Sequence, residues 1–471
     1  MMSWVGLVPD ALAFTYRAAI NTVIFAVGFV LLFAAGKAML ADNVVIEPIS
    51  VPRKLEEEGY SGAVVSRLLL AEVQVIRQAG DVLELRVPTK ESHVSFSSED
   101  EFATLATIQV PTSSLTLRSI TVMLRDFLGI PERKIGGAIT IRKPDGPDKP
   151  AVYRVALLLG PSAGLSARPE ENADLDEAIR LAARSIARQY DPVGLAAYYI
   201  KNKKPQEMRQ LAADLMETRE RQHRKQGLFI RGLYEDAALQ KFAFFQEAID
   251  EDPGYSDAYN AWGSALVSLG MIDQAIEKYR EAIRLNRSSS SAFRNRAIAY
   301  RSRGDLELAI ADFEQAGRLN PTAQTFYDLG STLIDLDKLA SAIKAYDQAI
   351  RLDARHPFAL NDRCWLRAIQ GDPLAVTDCD KALLLLAPNF ETYDSRGFAH
   401  LKLRQYDKAI ADYTAALKLD PGPDLAAYSF YGRGAARRGK GDPAGGDADI
   451  AKARELSPVI AERMAKLGVT P

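Results

Sequence analysis

The sequence predicts a chain of several domains: one N-terminal transmembrane helix, a small α/β (α+β) domain, and a C-terminal all-α superhelical solenoid. Three observations carry this. Residues 18–36 hold no charged side chain. Residues 44–165 alternate strand-like and helix-like hydrophobic patterns. From residue 226 the chain repeats itself at about 34 residues. A length of 471 residues suits that division, at roughly 150 residues per domain. Lys plus Arg (59) and Asp plus Glu (61) nearly cancel, to a net charge of −2, so there is no whole-molecule basic field for nucleic acid. Two cysteines exclude a disulfide framework and any multi-cysteine metal module, and four histidines leave little for a histidine-built metal site. No metal or cofactor is expected.

The first element, AAINTVIFAVGFVLLFAAG at 18–36, would span about 28 Å as a helix, close to the hydrocarbon thickness of a bilayer. Arg17 and Lys37 bracket it, and Trp4 and Tyr16 suit the near interface. Ala34, Ala35, Gly36 and Ala38 would also fit a cleavage site. The apolar run is longer, and its leader less basic, than a signal peptide needs. The expectation is a single-pass anchor, with the lipid bilayer as its partner. Arg17 competes with Lys37, Arg53 and Lys54, so charge does not set the orientation.

Residues 44–165 form the expected small α/β domain. VVIEPISV (44–51) is apolar and β-branched, and Pro52 ends it. Ala63 to Gln78 places Val64, Leu68, Ala71 and Val75 at helical spacing. ATIQV (106–110) reads as a strand and Leu115 to Leu128 as an amphipathic helix. IGGAITIRK and AVYRVALLL flank PDGPDKP, which is turn chemistry for a hairpin. The order β-α-β-α-β-β implies a small sheet with helices on one face. The polar stretch 90–104 reads as a loop, and residues 166–225 as a helical connector.

The repeats occupy 226–458, with 459–471 as a C-terminal capping helix. One small-residue column runs through Gly263, Ala297, Gly330, Cys364, Gly397 and Gly434. A larger one runs through Tyr279, Phe313, Tyr346, Cys379, Tyr413 and Ile450. Small residues suit close helix crossings, and the larger ones wedge between them. Pro321, Pro388, Pro421 and Pro458 stop the second helix of a pair. Segments such as NAWGSALVSLGMIDQAIEKYREAIRLN (260–286) and DSRGFAHLKLRQYDKAIADYTAALKLDP (394–421) are similar to the tetratricopeptide repeat. About six copies precede the cap, behind a degenerate first pair. VPRKLEEEGYSGAVVSRLL and ARQYDPVGLAAYYI resemble an uncharacterised domain that follows the membrane helix in many bacterial repeat proteins. That resemblance implies the bacterial inner membrane, with the bulk of the chain periplasmic.

Four repeats carry Arg on the first helix and Asp on the second: Arg296 with Asp312, Arg363 with Asp378, Arg396 with Asp412, and Arg433 with Asp449. Two repeats lack both, with Trp262 and Lys278 or Leu329 and Ala345 instead. Joint presence and absence predicts a partly buried ion pair that fixes helix register. Cys364 and Cys379 occupy the two packing columns of one repeat and should face each other, either as buried thiols or as a disulfide.

The repeat resemblance implies a concave surface lined by first helices that takes a partner protein or peptide. Its register places Asn260, Arg294, Arg301, Tyr327, Asn361, Trp365, Phe398 and Tyr431 there. Chaperone-binding relatives use a Lys/Asn/Arg clamp, where this chain has Ile298, Trp365 and Phe398. The clamp is absent, and the apolar groups favour an amphipathic segment as ligand. The expected function is a membrane-anchored, non-enzymatic scaffold or adaptor. An alternative is an envelope sensor whose α/β domain binds a ligand that the repeats relay to a partner.

Other motifs lead to bland readings. GPSAG (160–164) matches a nucleophile elbow, which makes a serine hydrolase the remote alternative, but Ser162 runs into a loop containing Pro169. GAARRGKG (434–441) resembles a phosphate loop yet has Gly441 where Ser or Thr is needed. RERQHRK (219–225) reads as a solvated helix face, and His356 as a solvated turn residue.

Overall fold

The computed structural model describes residues 42–82, 94–98, 133–142, 150–159 and 171–470. The chain divides into two compact units, Met1–Trp262 and Gly263–Pro471.

The first unit opens with β1 (Asp42–Ile46), α1 (Arg53–Glu57) and α2 (Gly62–Val82). Then follow β2 (Val94–Ser98), β3 (Arg133–Arg142), β4 (Val152–Leu159) and β5 (Glu171–Asn172). The sheet order is β2-β1-β3-β4-β5, with β1 parallel to both neighbours and the rest antiparallel. The expected first strand breaks after Ile46. Ser50 rejoins the sheet by a bridge to Ala138, and Ser66 Oγ holds the intervening turn, donating to the Glu47 carbonyl at 2.7 Å. A Cβ on Gly62 would lie 2.5 Å from the Ile49 carbonyl oxygen, so the helix can start there only with glycine. Residues 94–98, expected in a loop, form β2 because VSFSS pairs along β1 from Asp42↔Val94 to Ile46↔Ser98. The predicted strand at 106–110 and helix at 115–128 lie outside the described residues.

The core joins Val44 and Ile46 of β1, Ile135 and Ile139 of β3, Leu69 and Val73 of α2, and Ala183 and Ile186 of α3 (Leu175–Tyr190). The helices continue as α4 (Pro192–Lys201), α5 (Pro205–Met216), α6 (Arg221–Tyr234), α7 (Ala238–Glu251) and α8 (Ser256–Ser268). The basic run at 219–225 is only in part the solvated face expected: Arg219, Arg221 and Gln222 are exposed, but the rest is engaged. Arg224 Nη2 meets Glu251 at 2.9 Å, the Lys225 ammonium is buried against Asp252, and His223 sits between Glu220 and the Gln189 carbonyl.

No helix among the described residues is long and apolar enough to cross a membrane. The 21-residue α2 shows why: it buries Val65, Leu69 and Val73 on one face and carries Arg67, Glu72 and Arg77 besides. The transmembrane architecture and the single-pass inner-membrane placement expected from sequence are therefore corrected to a mixed sheet with helices and a helical repeat region. Residues 18–36, on which that expectation rested, lie outside the described residues.

The second unit is a run of helix pairs. After α9 (Ile272–Leu285) come α10 (Ser290–Arg303) with α11 (Leu306–Leu319), and α12 (Ala323–Asp335) with α13 (Leu339–Leu352). Next are α14 (Pro357–Ile369) with α15 (Leu374–Leu385), α16 (Phe390–Lys402) with α17 (Tyr406–Leu417), and α18 (Pro423–Lys440) with α19 (Pro443–Leu456). The run ends at α20 (Ile460–Lys466). Side chains of Ser289, Thr322, His356 and Asn389 cap first helices by accepting a backbone N–H. His356 is thus 8 % exposed, not solvated. The turn within each pair needs one left-handed residue: Gly304 (φ 93°), Asp337 (56°), Gly371 (72°), Arg404 (58°) and Gly441 (98°). GAARRGKG is accordingly the last turns of α18 and its terminating glycine.

The two columns face each other. A Cβ on Gly330 would lie 2.5 Å from the Tyr346 ring, and one on Gly434 2.7 Å from Ile450. At the same level Cys364 and Cys379 are joined by a disulfide, with their Cα atoms 5.5 Å apart.

Candidate partner-binding surface

The first-helix arginines reach the second-helix aspartates. Arg296 Nε donates to Asp312 at 2.7 Å, Arg363 Nη2 to Asp378 at 2.6 Å, Arg396 Nη2 to Asp412 at 2.7 Å, and Arg433 Nη2 to Asp449 at 2.8 Å. Each guanidinium grips both carboxylate oxygens through Nε and Nη2, the fork geometry that makes such pairs strong. All four aspartates are buried. Arg363 and Arg396 also donate from Nη1 to Asp347 and Asp380 on the preceding pair, both at 2.7 Å. Each of these two arginines therefore ties three helices. Where the charges are missing, Leu329 and Ala345 are both buried.

The eight residues expected on the first-helix face fare differently. Asn260 is almost wholly buried in the first unit. In the second unit, Arg294 pairs with Asp328 at 2.8 Å and Arg301 with Asp335 at 2.7 Å. Both are contacts between successive repeats, at a spacing of 34 residues. That spacing equals the repeat period, so opposite charges one period apart were the available signal. Tyr327, Asn361 and Trp365 are half-buried. Phe398 and Tyr431 are 3 % and 1 % exposed, inside a core shared with Tyr413 and Ile450. Their assignment to the surface is corrected: at these levels the side chains turn between helices rather than outward.

The accessible middle of this face has a distinct polarity. Tyr327 packs against Tyr346 and His356, with ring centroids 5.8 and 5.1 Å away. The Asp362 carboxylate accepts from the Tyr346 hydroxyl at 3.3 Å and from Asn361 Nδ2 at 3.2 Å. Burial pushes Asp362 above the usual carboxylate range, with those hydrogen bonds opposing it. Burial and the neighbouring Asp362 charge push the Tyr327 hydroxyl up to about 12. One repeat on, burial raises Asp394 to about 6, although the Ser429 hydroxyl donates to it. Asn361 Oδ1 is buried with no hydrogen-bond partner among the described residues.

Among the described residues the histidines are engaged elsewhere: His223 and His356 as above, and His400 Nδ1 lies 2.8 Å from Gln405, while His93 lies outside the described residues. Burial lowers the His400 pKa. Ser162 lies outside the described residues. Among the described residues no group of His, Cys, Asp and Glu could hold a metal ion.

Models of the tetratricopeptide repeat match residues 260–323, 323–356 and 390–423. Residues 260–356 and 390–423 are thus similar to tetratricopeptide repeats. The chain is 33% identical over 105 residues to small glutamine-rich tetratricopeptide repeat-containing protein 2 of Mycosarcoma maydis, covering 22% of this chain and 30% of that one. It is 34% identical over 104 residues to dynein axonemal assembly factor 4 of Mus musculus, covering 20% and 24%. With the Hsp70-Hsp90 organizing protein of Triticum aestivum it shares 26% identity over 166 residues, or 34% and 27% of the two chains. The chain thus spans 30% or less of the length of these curated relatives. Among solved structures, YrrB, described as a TPR protein with an unusual peptide-binding site, is 20% identical. It covers 47% of this chain and 97% of its own, at a TM-score of 0.31. The family matches fall on the repeats, and they lend no support to the bacterial, membrane-anchored type or to its domain before the repeats.

Proposed function

We propose that this protein is a non-enzymatic adaptor that holds a partner peptide along the first-helix face between Arg301 and Trp365. The observation that carries the reading is the pair of half-exposed rings Tyr327 and Trp365 on this face; Asn361, one helical turn before Trp365, has an Oδ1 acceptor with no donor among the described residues. Buried polar atoms are almost always satisfied, and rotation of the half-buried Asn361 amide would bring this acceptor to a peptide N–H laid along the face. The aromatic rings supply the apolar contact such a segment needs. The relatives named as organizing proteins and assembly factors are consistent with partner binding.

Selection of peptides from a displayed library on the full chain tests this. Selected peptides should bind Asn361→Ala and Trp365→Ala at least about tenfold more weakly than wild type, with helicity and melting unchanged. Equal affinity for both variants would remove the assignment.

A further inference from the structure

The turn ends of the last two helix pairs enclose a cleft of about 740 Å³, within the range of small-molecule sites. Its walls come from the end of α16 (Lys402), the turn residue Arg404, the start of α17 (Tyr406), the end of α18 (Arg438), the start of α19 (Pro443), and Val469 after α20. Three of these six are cations. No Asp or Glu lines the cleft among the described residues. The Lys402 ammonium donates to the Leu467 carbonyl at 3.1 Å, which fixes it on the wall without neutralising it. Arg438 shares its charge with Asp447. Arg404 is exposed and has no ion-pair partner among the described residues. Val469, 5 % exposed, and its N–H bond to the Met464 carbonyl (2.9 Å) hold the tail against the repeats, so the wall is built rather than incidental.

Arg404 stands where Gly304, Gly371 and Gly441 stand in other pairs, with φ at 58°. A non-glycine residue there costs about 1 kcal/mol. The fold alone gives no reason for a long cation at that position.

We propose that this cleft binds a small polyanion carrying phosphate or carboxylate groups. Guanidinium groups recognise both through paired N–H donors, and Lys402 and Arg404, which have no carboxylate partner among the described residues, converge with Arg438 on one concavity and focus the field on an anion. The proposal needs none of Asn361, Trp365 or Tyr327, and it can fail or stand apart from the peptide reading.

Calorimetric titration of the full chain with pyrophosphate and with citrate, at low and then high salt, tests it. Expected is saturable binding near one equivalent, weakened by salt and at least about tenfold by Arg404→Gly or Arg438→Gln. Arg404→Gly should melt at the same or a higher temperature than wild type, because glycine suits the left-handed turn, so lost binding cannot be lost folding. Replacement of exposed Arg351 by Gln should change nothing. Tighter pyrophosphate assigns a phosphorylated ligand, and tighter citrate a polycarboxylate. No heat with either anion, non-saturable binding, or unchanged affinity in Arg404→Gly would overturn the site.

Discussion

Asp312 has a single guanidinium as its cationic partner, with Nε and Nη2 of Arg296 at 2.7 and 2.9 Å and the carboxylate 6 % exposed. Removing one member of such a pair leaves the other charge desolvated and alone, whereas removing both leaves an apolar gap that side chains can fill. The repeat with Leu329 and Ala345 at these positions is a natural instance of the second case. Asp312→Ala should therefore weaken the local stability of α10 and α11 by about 3 kcal/mol. The double variant Arg296→Met/Asp312→Leu should lose less than the sum of its singles. Amide exchange of these two helices measures both, and additive losses would show that the two side chains act independently.

At the scale of the helix pair, one contact recurs in different chemistry. Glycine faces tyrosine at Gly330 and Tyr346, and glycine faces isoleucine at Gly434 and Ile450. In the pair α14–α15 the same meeting point is occupied by two sulfurs in a disulfide. A loop of 15 residues closed by a bridge is worth about 3 kcal/mol in the chain-entropy account. Cys364→Ala/Cys379→Ala should lower protection in α14 and α15 by that amount or more, since it also opens a void. Cys364→Ala/Cys379→Phe, which copies Ala297 and Phe313 from the pair α10–α11, should recover part of the loss. Exchange rates that the Phe variant leaves no better would mean that shape, not only the cross-link, differs in this pair. The columns and the arginine–aspartate contacts were legible because a 34-residue period samples the same environment several times, so absence in one repeat is as informative as presence in the others. What occurs once was not legible. His356 is buried because its imidazole caps α14 and packs against Tyr327 of the preceding repeat, VSFSS becomes a strand because β1 offers an edge, and the depth of Phe398 depends on how closely the next repeat approaches. The surface residues suffered most from this, since register predicts which way a side chain points but not what covers it.

The second unit as a whole should respond to damage locally. Each helix pair contacts its sequence neighbours through the inter-repeat pairs Arg294–Asp328, Arg363–Asp347 and Arg396–Asp380 and through shared apolar columns, so stability is set by nearest-neighbour interfaces. The end of such a stack exposes a hydrophobic face unless something covers it. Here α20 does so, with Ile460 and Met464 at 0 % and 2 % exposure in the core that contains Tyr431 and Ile450. Truncating Met464 to alanine should cost about 2–5 kcal/mol at that end. In a quasi-one-dimensional stack the cost falls on the last interfaces and fades along the array. Amide exchange in Met464→Ala should thus accelerate in α18, α19 and α20, while α10 to α13 keep their wild-type protection. A uniform loss across all these helices would show that the unit opens as one cooperative body, and that its terminal helix supports distant pairs as firmly as the one it touches.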